Sequence, residues 1–345
     1  MARNVKRINL ALQGGGAHGA FTWGALDRLL DDDGIEISGI TGTSAGALNG
    51  AALKAGLVGG GRDGARAALD DLWTRVGAVE DDFLSKWMAW VATGPLARSM
   101  EYSPAYFLAD AWARMVSPYA TGPFYANPLK PIVEAFEFDK ICHHDGPPLY
   151  ICATRVRTGK IRIFSGDELS SDAIMASACL PTMFRAVEID DPETGRTEAY
   201  WDGGYTGNPA LFPLFNSNLP DDVLIVNINP LERDMIPRTP QQIQNRINEI
   251  SFNSSLLREL RAINFVQRLL DHGDLPSGRM SRVLVHMIDD DELMNALSVA
   301  TKLMPNPLVL NRLKEAGRRA MDGFLSNHRD DLGKRSTVDL ETMYG

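Results

Sequence analysis

At 345 residues, with 44% apolar and 23% charged side chains, the chain is long enough to bury a substantial core. Its net charge of −9 argues against a nucleic-acid partner and against purely electrostatic adhesion to anionic lipid, because both need a basic surface. Three cysteines without CxxC spacing, Cys142, Cys152 and Cys179, read as reduced and mostly buried thiols of a cytoplasmic protein.

The apolar stretch 8–12, after a basic N-terminus, is too short for a signal-peptide core. No later stretch reaches the roughly 18 apolar residues of a spanning helix, so any membrane contact is expected to be peripheral. Residues 8–12 read as a strand, 13–16 as a glycine-rich turn, and 17–30 as a helix with apolar spacing at Ala20, Trp23, Leu26 and Leu30. The same order recurs: a strand at 35–41, a tight turn at 42–46, a helix at 47–57. Strand, glycine turn, helix, twice over, predicts an α/β fold with a parallel sheet and helices packed on it.

A further helix covers 59–78 after the break at Gly59, Gly60 and Gly61. Residues 83–125 are rich in aromatics (Trp87, Trp90, Tyr106, Phe107 and Trp112 among them) and read as helical turns and loops. They are expected to pack on the sheet, or to line an acyl channel or lipid interface. Hairpins are predicted across Thr158-Gly159 and across Pro192 to Gly195, with a helix at 170–178 between them. Core strands follow at 222–229 and 282–288. The helix between them, 241–271, carries Ile243, Ile247, Ile250, Leu257, Leu260, Ile263, Val266 and Leu270, a spacing that predicts a core-facing stripe. A last helix covers 307–327, and the polar tail from residue 330 reads as loose.

Three local patterns carry chemistry. Gly42-Thr43-Ser44-Ala45-Gly46 is a G-x-S-x-G turn between a strand and a helix, the context in which a serine hydroxyl is pushed clear of the backbone. Alone, it fits an N-cap serine equally well. Gly14-Gly15-Gly16-Ala17-His18-Gly19 offers backbone N–H groups at a helix start, where negative charge is favoured. Gly14, Gly16 and Gly19 also fit the dinucleotide fingerprint G-x-G-x-x-G. That rival needs an acid at the end of the second strand, where Thr41-Gly42-Thr43-Ser44 stands instead. Asp202-Gly203-Gly204 follows a strand and reads as a plain turn or as a carboxylate that another backbone can approach closely.

Taken in order, these three elements resemble the patatin-like phospholipase family, as does Ser177-Ala178-Cys179-Leu180-Pro181-Thr182-Met183-Phe184 between the second and third. The resemblance covers about 7–230. It implies a three-layer α/β/α sandwich with a mostly parallel central sheet, lipid-ester substrates, no cofactor and no metal. It further implies Ser44 as nucleophile, Asp202 as the other half of a dyad, and Gly14, Gly15, Gly16 and Ala45 around the oxyanion, with His18, Gly19, Gly42, Gly46, Gly203 and Gly204 as supporting motif residues. On this reading 1–345 is a single patatin-like domain, with core 7–230, a C-terminal helical extension 231–329 and a tail 330–345. His18 departs from the Arg or Lys that the family commonly carries, and would titrate near neutrality.

The remaining histidines test a Ser-acid-His order. His272, His286 and His328 follow Asp202 but have no motif around them. Cys142-His143-His144-Asp145 reads as a solvated loop rather than a metal site. A catalytically silent lipid-binding relative remains the alternative from another functional class.

Overall fold

A computed structural model describes residues 5–78, 117–233, 236–273, 280–297, 300–303 and 305–344. Most of the aromatic-rich stretch lies outside the described residues. Both strand-turn-helix units form: β1 (Lys6–Leu12) leads to α1 (Gly19–Leu29), and β2 (Ile35–Thr43) to α2 (Ala45–Ala78). The break expected near Gly59 is an interruption inside α2, with non-helical backbone at Gly60 and Gly61.

Next come α3 (Lys130–Glu134), α4 (Phe138–Ile141), β3 (Leu149–Arg155), β4 (Ile161–Ser165), α5 (Ser171–Ser177), β5 (Val187–Asp191) and β6 (Arg196–Asp202). The chain continues through β7 (Asp222–Val226), α6 (Pro240–Asp271), β8 (Leu284–Ile288), α7 (Asp291–Ala296), α8 (Ala300–Leu303), α9 (Pro307–His328) and α10 (Leu340–Tyr344).

The sheet runs β5-β6-β3-β2-β1-β7-β8, with β4 also paired to β3. Strands β3, β2, β1, β7 and β8 are mutually parallel, while the predicted hairpins add β4, β5 and β6 antiparallel. Alternation along the strands assigns the faces. Leu10, Leu12, Leu224 and Val226 pack into one apolar cluster with α1, α2, α5 and α9. Ala11, Val223, Ile225 and Val285 pack into a second with Leu256, Leu260 and Ile263 of α6 and Leu340 of α10. Helix layers on both faces of a mostly parallel sheet make this an α/β/α sandwich.

Two expectations are corrected. In the first half of α6 the core-facing stripe is polar: Glu249 and Asn253 are buried, while Ile243, Ile247 and Ile250 are exposed. The reason is what they meet, since Asn253 accepts from Gln13 Nε2 and Glu249 accepts from Arg233. The tail is not loose either. Thr337 and Val338 N–H groups donate to the Val285 carbonyl, Ser336 Oγ accepts from Val285 N–H, and Leu332 and Leu340 are buried. It satisfies backbone groups on the free edge of β8, which apolar counting along the tail does not register. Strand β8 itself forms where a core strand was expected at 282–288, and it extends the sheet. Among the described residues no helix is long and apolar enough to cross a membrane.

Candidate active site

Both glycine turns leave the carboxyl ends of adjacent parallel strands, where Leu12 of β1 lies opposite Gly42 of β2. Ser44 sits at φ 55°, alone among the described non-glycine residues in having positive φ. Such a backbone is held only where its surroundings impose it. Here α2 starts at once, with Ala47 and Leu48 N–H bonding the Ser44 carbonyl. The flanking glycine is sterically required as well, because a Cβ on Gly46 would come within 2.0 Å of the Leu12 carbonyl oxygen.

Register carries Asp202 to the same place. Thr43 lies opposite Cys152 on β3, and Ala153, one residue on, lies opposite Asp202 on β6. Gly203 allows this approach: a Cβ there would meet the Cys152 carbonyl oxygen at 2.1 Å. Thr43 Oγ1 donates to the Gly207 carbonyl at 2.6 Å, and Asp202 N–H donates to the Cys179 carbonyl at 2.8 Å.

Asp202 is 1% exposed. Burial pushes its carboxyl up to about 7, against the opposing effects of Gly204 N–H and the Ser44 hydroxyl. Oδ1 accepts from Gly204 N–H at 2.7 Å, whereas Oδ2 has no partner of ordinary hydrogen-bond geometry. The Ser44 hydroxyl thus lies close enough to the carboxyl to lower its pKa, although it forms no hydrogen bond of ordinary geometry with Oδ2.

The glycine turn is braced by amides that the sequence does not single out. Gly14 N–H donates to Asn208 Oδ1 at 2.7 Å, and the Gly14 carbonyl accepts from Asn229 Nδ2 at 2.7 Å. Gly14 was expected among the oxyanion donors, but its N–H is already engaged. Gly15, Gly16 and Ala45 N–H groups donate to no acceptor among the described residues. Gln13 Oε1 accepts from the N–H groups of Ile228 and Asn229, and Ser177 Oγ accepts from Ser44 N–H at 2.9 Å. The signals for these roles were the adjacency of Gln13 to the glycines, the place of Asn229 at the end of the expected strand 222–229, and that of Ser177 at the head of the segment 177–184.

His18 is buried, with Nε2 at 2.7 Å from Thr301 Oγ1. Burial, then Lys302 and Arg233, hold its pKa well below the usual histidine range, so it stays neutral rather than titrating near neutrality. His286 bonds Asp222 at the entry to β7 (3.0 Å) and Thr337 (3.2 Å), remote along the sheet from β2. His272 bonds its own helix, and His328 bonds Asp331. The structure brings none of these three to Ser44. Among the described residues no three His, Cys, Asp or Glu side chains converge as a metal site. A cavity of about 600 Å³ between α6, β8 and the tail is lined by residues such as Leu257, Arg261, Met287 and Tyr344, and by no residue of this site.

Comparison with known proteins gives one decisive result: the model of the patatin-like phospholipase family matches residues 10–215. The chain belongs to this family. The match takes in both glycine turns, Ser44 and Asp202, and family membership points to action on lipid esters. No curated protein matches the chain significantly. Among solved structures, VipD from Legionella pneumophila is similar at 14% identity, covering 94% of this chain and 67% of that one, with a TM-score of 0.42. That likeness is too distant to add to what the patatin-like assignment implies.

Proposed function

We propose that this patatin-like protein is a serine hydrolase of lipid carboxylic esters, with Ser44 as nucleophile and Asp202 as general base and acid. The observation that carries the reading is the adjacency of a strained, half-buried serine and a buried carboxylate beside glycine N–H groups with no acceptor among the described residues. Ser44 Oγ attacks the acyl carbon while its proton passes to Asp202. The oxyanion is held by Gly15, Gly16 and Ala45 N–H groups, each typically contributing roughly 3 kcal/mol to the transition state. Collapse expels the alcohol, which takes the proton from Asp202 and leaves acyl-Ser44. Water then attacks the acyl-enzyme, gives its proton to Asp202, and the acid departs as Ser44 regains a hydrogen. No metal or cofactor takes part in any step of this scheme.

The surroundings suit a lipid. Tyr205 and Met183 are partly exposed beside Asp202 and Cys179 in the chain, and Phe252 packs on Tyr205 and over Gly204. Earlier on α6, Ile250, Ile247 and Ile243 are 55%, 53% and 43% exposed. We assign this ridge to peripheral contact with a lipid surface, by a protein whose free thiols suit the cytoplasm.

Fluorophosphonate labelling with site mapping, alongside hydrolysis of a p-nitrophenyl ester, tests the proposal. Label on Ser44 and loss of at least about 10³-fold in kcat for Ser44→Ala and Asp202→Asn are expected. Label elsewhere, or turnover retained by either variant, would overturn it.

A further inference from the structure

The short helix α8, Ala300–Leu303, reaches back to the first glycine turn. A side chain on Gly16, whose φ is 60°, would lie 2.3 Å from the Lys302 carbonyl oxygen, so the two backbones touch. Next to it, Thr301 bonds the buried His18. The Lys302 ammonium is largely buried and donates to Asn229 Oδ1 at 2.9 Å, and the same Asn229 amide donates from Nδ2 to the Gly14 carbonyl at 2.7 Å. A cation is therefore wired through one amide to the peptide plane that carries the Gly15 N–H and precedes that of Gly16, two N–H groups with no acceptor among the described residues. Asn229 Oδ1 also lies 3.4 Å from where a Gly15 Cβ would stand, so the ammonium, 2.9 Å from that oxygen, is held close to the turn.

Neutralising the buried Glu249 carboxylate does not explain this placement. Glu249 lies 3.6 Å from Lys302, but it is already held by Arg233 through two bonds of 2.6 and 2.8 Å and by Arg246 at 3.4 Å. Three cations share one buried carboxylate, and the one not needed to pair it is aimed at the glycine turn.

We propose that Lys302 is a positioning residue of the acyl-transfer site: through Asn229 it fixes the Gly14 carbonyl and hence the Gly15 and Gly16 donors, and it sets a positive charge close to them. The assignment rests on the hydrolase reading above. Its effect belongs to the step in which negative charge grows on the acyl oxygen, because preorganised donors and charges act on the transition state more than on bound ester.

The test uses the full chain and a soluble p-nitrophenyl ester, with thermal melts on every variant. Lys302→Met should lower kcat at least tenfold with KM changed less than twofold, and the rate of fluorophosphonate labelling should fall in parallel. Lys302→Gln, which keeps a donor but not the charge, should fall similarly, and it carries the test if the methionine variant does not fold. Lys302→Arg should recover kcat to within a few-fold. Asn229→Ala should lower kcat too, and the double variant with Lys302→Met should be no slower than the slower single, because both act on one link. Parental kcat in the folded Met and Gln variants, a loss confined to KM, an Arg variant no faster than Met, or additive losses in the pair would each overturn the assignment. Ser44→Ala separates the two readings. If it retains turnover the hydrolase proposal itself falls, and if it is inactive while Lys302→Met keeps its rate, only the role of Lys302 falls.

Discussion

Burial keeps the Asp202 carboxyl near 7, so at acidic pH it holds a proton and cannot accept one from Ser44. On the proposed mechanism kcat/KM for a soluble ester should rise with pH and level off above about 7; a profile flat from pH 5 to 8 would contradict the role of Asp202. The same shift has a stability consequence. The folded carboxyl titrates above its unfolded value of about 4, so the unfolded chain releases the proton first and folding stability declines as pH rises from about 4 to about 7. Asp202→Asn is therefore expected to raise Tm at pH 8, with a smaller gain at pH 5, while abolishing turnover. Calorimetry of the parent and variant at the two pH values measures this directly. Such opposition of stability and activity is common where a buried polar group serves chemistry.

At the scale of elements, the exposed ridge of α6 and the β5-β6 hairpin make opposite demands. Ile243, Ile247 and Ile250 face outward, so replacing all three with serine should change stability little (about 0.5 kcal/mol each at most). Hydrolysis of phospholipid vesicles should fall at least fivefold while a soluble ester is cleaved at the parental rate; equal loss on both would remove the ridge from lipid contact. The hairpin is held inward by charge. Asp191 of β5 is buried and bonds Arg155 (2.6 Å), Arg162 (3.2 Å) and the Tyr200 hydroxyl. Burial opposes the Asp191 anion, but Tyr200 and the two guanidiniums outweigh it and hold its pKa well below the carboxylate range. Its stabilisation is present above pH 4 and is lost as pH falls below that. Asp191→Ala leaves two buried cations short of a partner and should cost about 3–5 kcal/mol, read by urea melts at pH 7.

Across the whole molecule, the last residues tie the sheet together. Lys6 Nζ donates to the Leu332 carbonyl, Gly333 N–H donates to Asp222 Oδ1, and Tyr344 OH donates to the Leu257 carbonyl, so the tail links β1, β7 and α6. Leu340 fills the cluster between α6 and the sheet, and Leu340→Ala should destabilise the fold by about 2–4 kcal/mol in denaturant melts. His286→Ala should likewise lower Tm, since it strips Asp222 and Thr337 of a buried partner, while leaving ester turnover at the parental level.

What the sequence by itself determined was whatever depends on neighbours along the chain. The β1-turn-α1 and β2-turn-α2 units, the two hairpins and the glycines around Ser44 were legible because periodicity and the sterics of a tight turn act within a few residues. So was the choice of Ser44 and Asp202 as candidates. Only the tertiary structure decided the rest. Register across β2, β3 and β6 set serine beside carboxylate. Asn208 engaged Gly14 N–H, so it is not free for an oxyanion, and burial beside Lys302 kept His18 neutral. Long-range partners also inverted the first half of α6: once Gln13 and Arg233 face it, its polar side is the buried one and Ile243, Ile247 and Ile250 turn outward, while Leu260 and Ile263 further on stay in the core. Hydrophobic spacing records how apolar a face is, but a buried hydrogen-bond partner from elsewhere in the chain can make the polar face the inner one.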